Sequence, residues 1–414
     1  MRMKFNKSSQ LLLVSAASLL AAGLLTACGT LTVDFVFVAS SKAAGTNNYG
    51  EIDVFEINSE SGFMRQIPTS PFPSGGRDPV AEAVSSDNTN LYVVNQDDNS
   101  IVQFIIGNDG KLYPQHTVNT PGIYPLAVAV SGSNLFVVDT YQPLPICSNA
   151  DPCSGSVAVF PITATATSPP SDALGSPLAN GSLNYWPLSL PGKPNDIIVP
   201  TAINVLASGA RLYVTAYDST VTPYAGYVFG FSVASGGALT PLNGGVPFAA
   251  GTQPSAIASD STSSYVYVTD FANGNVHGYS VASGVLSELS GSPFPAGNRP
   301  SAIVVDPLYP YVYVANSLDS TVTAYSMSSG ELTSLGAYAT GSQPVAIGID
   351  PSTNHFLYTA NYLGNGVVGT VSGFQLSPTA GTLVNSQNSP YTANALPTAL
   401  AAIPHNGTGG GIQK

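Results

Sequence analysis

Residues 265–281 read YVYVTDFANGNVHGYSV, and residues 311–327 read YVYVANSLDSTVTAYSM. Both stretches contain an alternating aromatic and β-branched segment, a short polar loop and a second aromatic segment, but they share few loop residues. Alternation of this kind is typical of a β-strand whose two faces meet different surroundings. The two stretches therefore predict a repeated β-hairpin.

The first strand of this hairpin recurs along the whole chain. Its seven copies begin at Phe35, Leu91, Leu135, Leu212, Val266, Val312 and Leu357. Most copies are about 45 to 55 residues apart, close to the period of four-stranded propeller blades. Helical repeats of similar length would place apolar residues three and four positions apart, and these short alternating segments do not.

Further strands repeat with the first. A Pro-x-Ala segment precedes each internal copy, at Pro79, Pro125, Pro200, Pro254, Pro300 and Pro344. A strand with one aromatic residue in register follows each copy, giving Phe55, Phe104, Phe160, Phe231, Tyr279, Tyr325 and Phe374. A less regular fourth strand then leads to a Gly/Pro turn. The order predicts blades of four antiparallel strands.

The chain starts and ends inside the same predicted blade. It begins at a second strand near Phe35, and a seventh Pro-x-Ala segment, at Pro397, arrives at the very end. The C-terminal strand is therefore expected to complete the first blade and leave no free sheet edge. We predict an all-β, seven-bladed propeller over residues 34–403, followed by a flexible tail at residues 404–414. Blade 3 is expected to carry an extended excursion between Val159 and Thr201, over its edge or top.

The Pro-x-Ala strand, the YVxN strand and the NxVxxY strand together resemble the seven-bladed propellers of the lactonase and YncE-like type, across essentially the whole mature chain. That family includes a 6-phosphogluconolactonase, related cycloisomerases and exported members without an assigned reaction. The resemblance implies the fold more strongly than a function. No site residue is carried over, because the basic and histidine positions of the lactonase members have no one-to-one match here.

The N-terminus has the features of an export signal. Residues 1–10 contain three cations and no acid, and the apolar run at residues 11–25 is shorter than the roughly 20 residues of a membrane-spanning helix. Residues 25–28, LTAC, resemble the lipobox of bacterial lipoproteins. We predict a signal peptide at 1–27, lipidation of Cys28, a tether at 28–33 and an exported protein anchored in the bacterial envelope. Gly29 favours the outer membrane, and an ordinary signal with a chance cysteine is the alternative.

Two cysteines remain after Cys28. Cys147 and Cys153 are separated by SNADP in a chain predicted to be exported, where disulfides persist. We predict that they form a disulfide that shapes one loop. A two-cysteine metal site is the alternative, but it lacks nearby histidines. We predict no metal and no cofactor.

The composition restricts the partners. Without the signal peptide the chain has 8 cations and 23 acids, a net charge of −15, and only 8% of the full sequence is charged. Nucleic-acid binding needs clustered Lys and Arg, so we exclude it. We expect a monomer that touches the membrane only through its lipid.

The predicted strand directions bring two sets of loops to one face, which we call the top face, around the mouth of the central channel. The residues before the inner-strand prolines, with Arg77 one place further back, should ring the mouth: Arg77, Tyr124, Val199, Gln253, Arg299, Gln343 and Leu396. Tyr217, Phe271 and Tyr362 should lie just outside. Arginines, amides and aromatic rings favour a polar, anionic or sugar-like ligand. Alternatively, the arginines pair with acids such as Asp78 and the glutamines cap turns.

One inner-strand residue departs from the repeat. The blade after Pro79 has Glu82, where the other blades have Val, Ile or Leu. A buried carboxylate is costly unless it is paired, and desolvation raises its pKa. Glu82 is therefore a candidate catalytic acid or ligand contact with Arg77 as a candidate partner, or else a member of a structural ion pair.

Two functions remain open. The first is a propeller that binds a partner protein, glycan or envelope component through its top face. The second is a hydrolase of a lactone or sugar ester, in which Glu82 or a loop aspartate activates water and Arg77 or Arg299 holds the oxyanion. No GxSxG motif is present, and no histidine is predicted to reach the mouth.

Overall fold

The computed structural model describes residues 33–42, 48–58, 61–164, 172–350, 356–363 and 368–404. The predicted signal peptide, Cys28, most of the tether and the tail after residue 404 lie outside these residues. Among the described residues, no helix has the length and apolarity needed to cross a membrane.

Seven antiparallel sheets form the blades of one ring. Blade 1 contains β1 (Val33–Ser41), β2 (Glu51–Asn58), β3 (Met64–Gln66) and β4 (Phe72–Pro73); blade 2 contains β5 (Pro79–Val84), β6 (Asn90–Asn95), β7 (Ser100–Ile106) and β8 (Leu112–Asn119). Blade 3 contains β9 (Ile123–Ser131), β10 (Asn134–Tyr141), β11 (Ser156–Ala164), β12 (Asp172–Leu174) and β13 (Trp186–Pro187). Blade 4 contains β14 (Ile198–Val205), β15 (Arg211–Asp218), β16 (Ala225–Val233), β17 (Leu239–Pro241) and β18 (Phe248–Ala249), with a short 3-10 turn at Asn243–Gly245.

The remaining blades repeat the pattern. Blade 5 contains β19 (Pro254–Ser259), β20 (Tyr265–Asp270), β21 (Asn275–Ala282), β22 (Val285–Glu288) and β23 (Phe294–Pro295). Blade 6 contains β24 (Pro300–Val305), β25 (Tyr311–Asn316), β26 (Thr321–Ser328) and β27 (Glu331–Ala339). Blade 7 contains β28 (Pro344–Ile349), β29 (Phe356–Asn361), β30 (Thr370–Leu376), β31 (Leu383–Asn385) and β32 (Tyr391–Thr392), and the last strand is β33 (Leu396–Ile403).

The C-terminal strand closes the ring as predicted. β33 is the inner strand of blade 1, where the strand order is β3-β2-β1-β33. It pairs antiparallel with β1, from Phe35 opposite Ile403 to Ser41 opposite Leu396. Its Thr398 hydroxyl lies 2.5 Å from the Pro79 carbonyl of blade 2 and 3.0 Å from the Ala39 carbonyl, and so links β33 to both neighbouring strands. Both ends of the propeller are thus held in one sheet, and no inner strand is left unpaired.

The apolar core lies between neighbouring blades. All six residues of β25 are buried, because each face of this strand packs against a different blade. The cluster between blades 5 and 6, for example, contains Tyr267, Ile303 and Val314. Burial on both faces explains why the second strands read as nearly continuous runs of Val and Tyr.

Tyrosine hydroxyls add polar links between blades. The second-strand tyrosine of blades 4, 5 and 6 reaches the hairpin of the next blade, with Tyr213 donating to Gly284, Tyr267 to Gly330 and Tyr313 to Gly381, at 3.0, 2.7 and 3.0 Å. Each accepting glycine has a positive φ. A buried tyrosine needs a partner for its hydroxyl, so these aromatic residues serve the fold rather than a ligand.

The fourth strand is irregular because it is interrupted in most blades. In five blades the outer strand is split, and its short second part pairs with the upper half of the third strand. At three of these breaks a serine hydroxyl accepts a backbone N–H of the third strand: Ser70 from Val54, Ser292 from Gly278 and Ser389 from Gly373, at 2.9, 3.1 and 2.9 Å. The serine satisfies a donor that the break would otherwise leave unpaired.

The excursion of blade 3 is anchored by the only tryptophan of the chain. Trp186 lies in β13, which pairs with β11, and its indole Nε1 donates a 2.9 Å hydrogen bond to the Leu239 carbonyl of blade 4. The described part of the excursion around Trp186 therefore runs along the blade edge and packs between two blades. The predicted disulfide between Cys147 and Cys153 is present, in the loop after β10.

Candidate ligand site at the channel mouth

The loops of the top face are tied to one another by the backbone. The first residue after the second strand donates its N–H to the carbonyl of the residue before the inner-strand proline: Gln96 to Asp78, Phe271 to Gln253, Ser317 to Arg299 and Tyr362 to Gln343, at 2.8 to 2.9 Å. This repeated contact brings the inner and outer sets of predicted residues together around the mouth. It confirms the topology from which the site was predicted.

Four of the pre-proline residues adopt a left-handed backbone conformation. Their φ angles are 52° at Asp78 and 54° at Tyr124, Arg299 and Gln343. This conformation costs a non-glycine residue roughly 1 to 2 kcal/mol, and a following proline disfavours it further. Strain of this kind concentrates at functional sites, where the surrounding structure holds a side chain in a required direction. The mouth is therefore the strongest candidate site of the fold.

Asp78, rather than Arg77, occupies the ring position of blade 2. The Arg77 guanidinium lies outside the ring and pairs with Asp98, with Nε and Nη2 at 2.7 and 2.6 Å from Oδ1. Its backbone N–H also donates to Asp98, at 2.7 Å. The predicted pairing of Arg77 with Glu82 does not form. Arg77 is one residue further from Pro79 than the ring position, and its side chain points to Asp98 instead.

The Asp78 carboxyl is more basic than an ordinary aspartate. Partial burial of the carboxyl group, and then the negative charge of Asp97, raise its pKa. A carboxyl with a raised pKa at the edge of a channel is suited to accept a proton or to bind a hydroxyl group. Sequence reasoning missed this residue, although its place directly before Pro79 was the available signal.

Arg299 is the cation of the ring. Its side chain is exposed, and its guanidinium carbon lies 5.5 Å from the centre of the Phe271 ring of blade 5. Within the described part of the chain, Arg299 forms no ion pair. The aromatic ring orients the guanidinium and leaves its N–H groups available to an anionic or carbonyl oxygen.

Tyrosines and amides complete the mouth. Tyr124 packs edge-on against Tyr141 at 6.0 Å between ring centres, and Tyr217 packs against Tyr224 at 4.9 Å. The Gln253 side chain lies beside the Tyr217 hydroxyl. Half-buried aromatic rings beside amides are suited to the apolar faces and hydroxyl groups of a sugar. Gln343 and Tyr362 bring the same pair of residue types to blade 7.

Glu82 lies below the mouth, in the wall between blades 1 and 2. It pairs across the sheet with Val93, and its two carboxyl oxygens lie against the backbone of Ala39 and Ala401. Both oxygens are buried, and neither has a hydrogen bond of normal geometry to a described residue. Desolvation raises the pKa of Glu82 to about 8. The structure therefore does not bring Glu82 together with Arg77, Arg299 or the mouth.

Two histidines lie in described strands, and one of them is close to a ring loop. The Nε2 of His277 lies 4.0 Å from Asp270, whose carboxylate accepts the backbone N–H of Gln253. His116 is in β8 of blade 2, and His277 is in β21, where its Nδ1 lies 3.0 Å from a Glu288 carboxylate oxygen. His355 and His405 lie outside the described residues. Among the described residues, no three metal-ligating His, Cys, Asp or Glu side chains come together.

The fold and its mouth define a class, the closed seven-bladed propellers with a polar channel entrance. The chain belongs to the lactonase family of seven-bladed β-propellers, whose sequence model matches residues 47–143 and 283–397. No curated protein matches the chain in sequence.

Solved structures share the fold at low sequence identity. A candidate 6-phosphogluconolactonase from Bacteroides fragilis is 18% identical, with a TM-score of 0.68 and coverage of 90% of this chain and 99% of that one. The periplasmic gluconolactonase of Pseudomonas aeruginosa is 18% identical, with a TM-score of 0.66 and the same coverage. A candidate 6-phosphogluconolactonase from Bacteroides uniformis is 16% identical, with a TM-score of 0.65 and again 90% and 99% coverage. At these identities the likeness establishes the fold alone.

Proposed function

We propose that the protein binds a polar, sugar-like ligand at the channel mouth. The observation that carries the proposal is the set of four left-handed residues, Asp78, Tyr124, Arg299 and Gln343, which the fold holds in a costly conformation around one opening. The side chains supply a carboxyl group, an aromatic face, a cation and an amide. A sugar acid or lactone presents the complementary hydroxyl groups, apolar ring face and carbonyl oxygen.

The second candidate function is hydrolysis of a lactone or sugar ester. Asp78 favours it, because burial and Asp97 raise the pKa of its carboxyl. In this reaction Asp78 takes a proton from water as the water oxygen attacks the carbonyl carbon, and Arg299 stabilises the oxyanion. The ring C–O bond then breaks, and the proton passes from Asp78 to the leaving oxygen. The product is the open hydroxy acid, with no redox change.

A paired binding and turnover assay tests both candidates. A panel of aldonolactones, sugar acids and neutral oligosaccharides is titrated against the wild-type protein and the Arg299→Ala and Asp78→Asn variants. Arg299→Ala should weaken binding at least tenfold, whereas Asp78→Asn should abolish hydrolysis and leave binding within a few-fold. The matched control is Arg65→Ala, since Arg65 is an exposed arginine at the outer edge of blade 1, paired with Glu56. Unchanged binding in Arg299→Ala would remove the mouth as the ligand site.

We also propose that the protein works outside the cytoplasm, held at a membrane by a lipid on Cys28. The disulfide between Cys147 and Cys153 supports this location, because such bonds persist in oxidising compartments. The proposed partners are a glycan, an envelope component or a small polar ligand, with the protein acting as a monomer. A Cys28→Ser variant should be recovered without an acyl group and outside the membrane fraction. Its recovery as an acylated membrane protein would refute the anchor.

A further inference from the structure

We propose that the bottom face of the propeller, opposite the channel mouth, is the surface that lies against the lipid bilayer, so that the mouth points away from the membrane. The proposal rests on the lipid anchor at Cys28 proposed above. It adds that the molecule has a fixed orientation and that the bilayer is the partner of its bottom face.

The direction of the first strand places the tether at the bottom face. The inner strand β33 starts at the mouth with Leu396 and ends with Ile403, which pairs with Phe35 near the start of β1. Val33, the first described residue, pairs with Asn58 at the far end of β2 from the mouth. The chain therefore enters the propeller at the bottom edge of blade 1.

The length of the tether then limits the orientation. Five residue steps from Cys28 to Val33 span at most about 17 Å, even when fully extended. The nine residues of β1 cross the blade from bottom to top, a distance of about 27 Å. If the mouth faced the bilayer, the tether would have to span this height, and it is too short. The bottom edge of blade 1, in contrast, is always within reach of the lipid.

Three of the bottom turns expose mainly small or apolar residues. The exposed residues of the described turns between the inner and second strands of blades 4 and 5 are small and neutral: Ala207, Ser208, Ala210, Ser261 and Thr262. In blade 6 the corresponding turn exposes 60% of Leu308, beside Pro307 and Pro310. Elsewhere the bottom face exposes acids, among them Asp87 in the corresponding turn of blade 2 and Asp109 and Glu331 in the outer hairpins of blades 2 and 6. The length of the tether, rather than the chemistry of this face, therefore carries the orientation.

Two exposed leucines of blade 6 form a matched pair for the test. Leu308 lies in the bottom turn between β24 and β25, and Leu318, which is 57% exposed, lies in the top loop between β25 and β26. Each is changed to cysteine in the acylated protein, labelled with a fluorescent donor and reconstituted into phosphatidylcholine vesicles with a headgroup acceptor. Energy transfer should be at least twofold greater from position 308 than from position 318. Equal transfer, or greater transfer from position 318, would overturn the orientation.

Two controls separate the causes. A flexible Gly/Ser insertion of about a dozen residues after Thr30 lengthens the reach to about 60 Å and should remove the difference between the two positions. A difference that survives the insertion would contradict the tether as its cause. If the wild-type protein itself does not associate with vesicles, the anchor proposal fails and the orientation falls with it. If it associates but the 318 probe lies closer, only the orientation fails.

Discussion

Blades 2 and 6 share one architecture and differ in chemistry. Each has four strands with an unbroken outer strand, and each has a β-bulge in that outer strand, opposite Gln103/Phe104 in blade 2 and Ala324/Tyr325 in blade 6. Their inner strands nevertheless differ, with Glu82 in one wall and Ile303 in the other. At the mouth the ring residue is Asp78 in blade 2 and Arg299 in blade 6.

The difference between Ile303 and Glu82 shows which residue the fold needs in the inner strand and which is peculiar to blade 2. Ile303 contributes to the apolar cluster between blades 5 and 6, as the repeat predicts. Glu82 lies in the equivalent wall between blades 1 and 2 with both carboxyl oxygens buried. The same backbone thus accommodates an apolar residue at low cost and a carboxyl at high cost. The blade that carries this cost also packs against the strand that closes the ring.

The largest expected effect is on ring closure. Deletion from Pro397 onward removes β33, which is the inner strand of blade 1 and the neighbour of blade 2. We expect loss of cooperative folding and aggregation, with hydrogen exchange faster in β5 and β6 than in β24 and β25. A deletion of residues 405–414 is the control and should leave the melting temperature unchanged. An unaltered melting temperature in the longer deletion would mean that the ring closes in another way.

The next largest effect is expected when Ile303 of blade 6 is replaced by the Glu that blade 2 has at the equivalent position. Ile303→Glu should reduce the free energy of unfolding at pH 8 by about 3 kcal/mol, because it buries a carboxyl in an apolar cluster. The reciprocal Glu82→Ile change should be neutral or stabilising, since no charge partner is left behind. Denaturant titration measures both. A large loss of stability in Glu82→Ile would show that this carboxyl makes a favourable interaction.

The pH dependence of the free energy of unfolding should reveal the buried carboxyl of Glu82. The pKa of Glu82 is raised from 4.5 to about 8 in the folded protein. The stabilisation from its protonated form is therefore fully present below about pH 4.5 and is lost as the pH rises through 8. Between pH 5 and pH 8 this group alone should lower the free energy of unfolding by roughly 3 kcal/mol.

Glu82→Ile should flatten that decline. Burial raises the pKa of Asp53 to about 6 and that of Asp139 to about 7, so part of the decline should remain in the variant. Urea titrations of both proteins at several pH values measure the difference. Parallel curves would mean that Glu82 does not titrate in this range.

The smallest effect concerns one hydrogen bond between blades. The Ser301 hydroxyl of blade 6 donates a 2.6 Å hydrogen bond to the Pro344 carbonyl of blade 7, whereas blade 2 has Val80 at this position. Ser301→Val should cost about 1 kcal/mol, and Ser301→Thr, which keeps the hydroxyl group, should cost less. Thermal unfolding of the two variants measures the contribution. Equal melting temperatures would show that the contact adds nothing.

The sequence predicted the architecture because its signals are local. Alternating residues, aromatic positions and Pro-x-Ala segments repeat within each blade, so the strands and their order follow from short stretches. The seventh Pro-x-Ala segment, at Pro397, predicted that β33 completes blade 1, and it does. The disulfide between Cys147 and Cys153 was predicted in the same way, from two nearby residues.

The site was predicted less completely, because its residues depend on backbone direction. Arg77 and Asp78 are adjacent in sequence, and it is Asp78, directly before Pro79, that takes the ring position in a left-handed conformation. Asp98, the actual partner of Arg77, is about twenty residues away along the chain. The place of Asp78 directly before Pro79 was a signal for the ring position, but the pairing of Arg77 with Asp98 has no sequence pattern of its own.

By itself, the sequence determined that this protein is a ring of seven blades with a mouth formed by the loops before the inner strands. Its physical basis is the strict alternation of strand residues and the turn residues between them. Only the tertiary structure decided which side chains meet: the hydroxyl of Tyr267 at Gly330 of the next blade, Trp186 between blades 3 and 4, and Glu82 inside a wall rather than at the mouth. Such contacts form only when blades pack against one another, because residues far apart in the chain then occupy the same space.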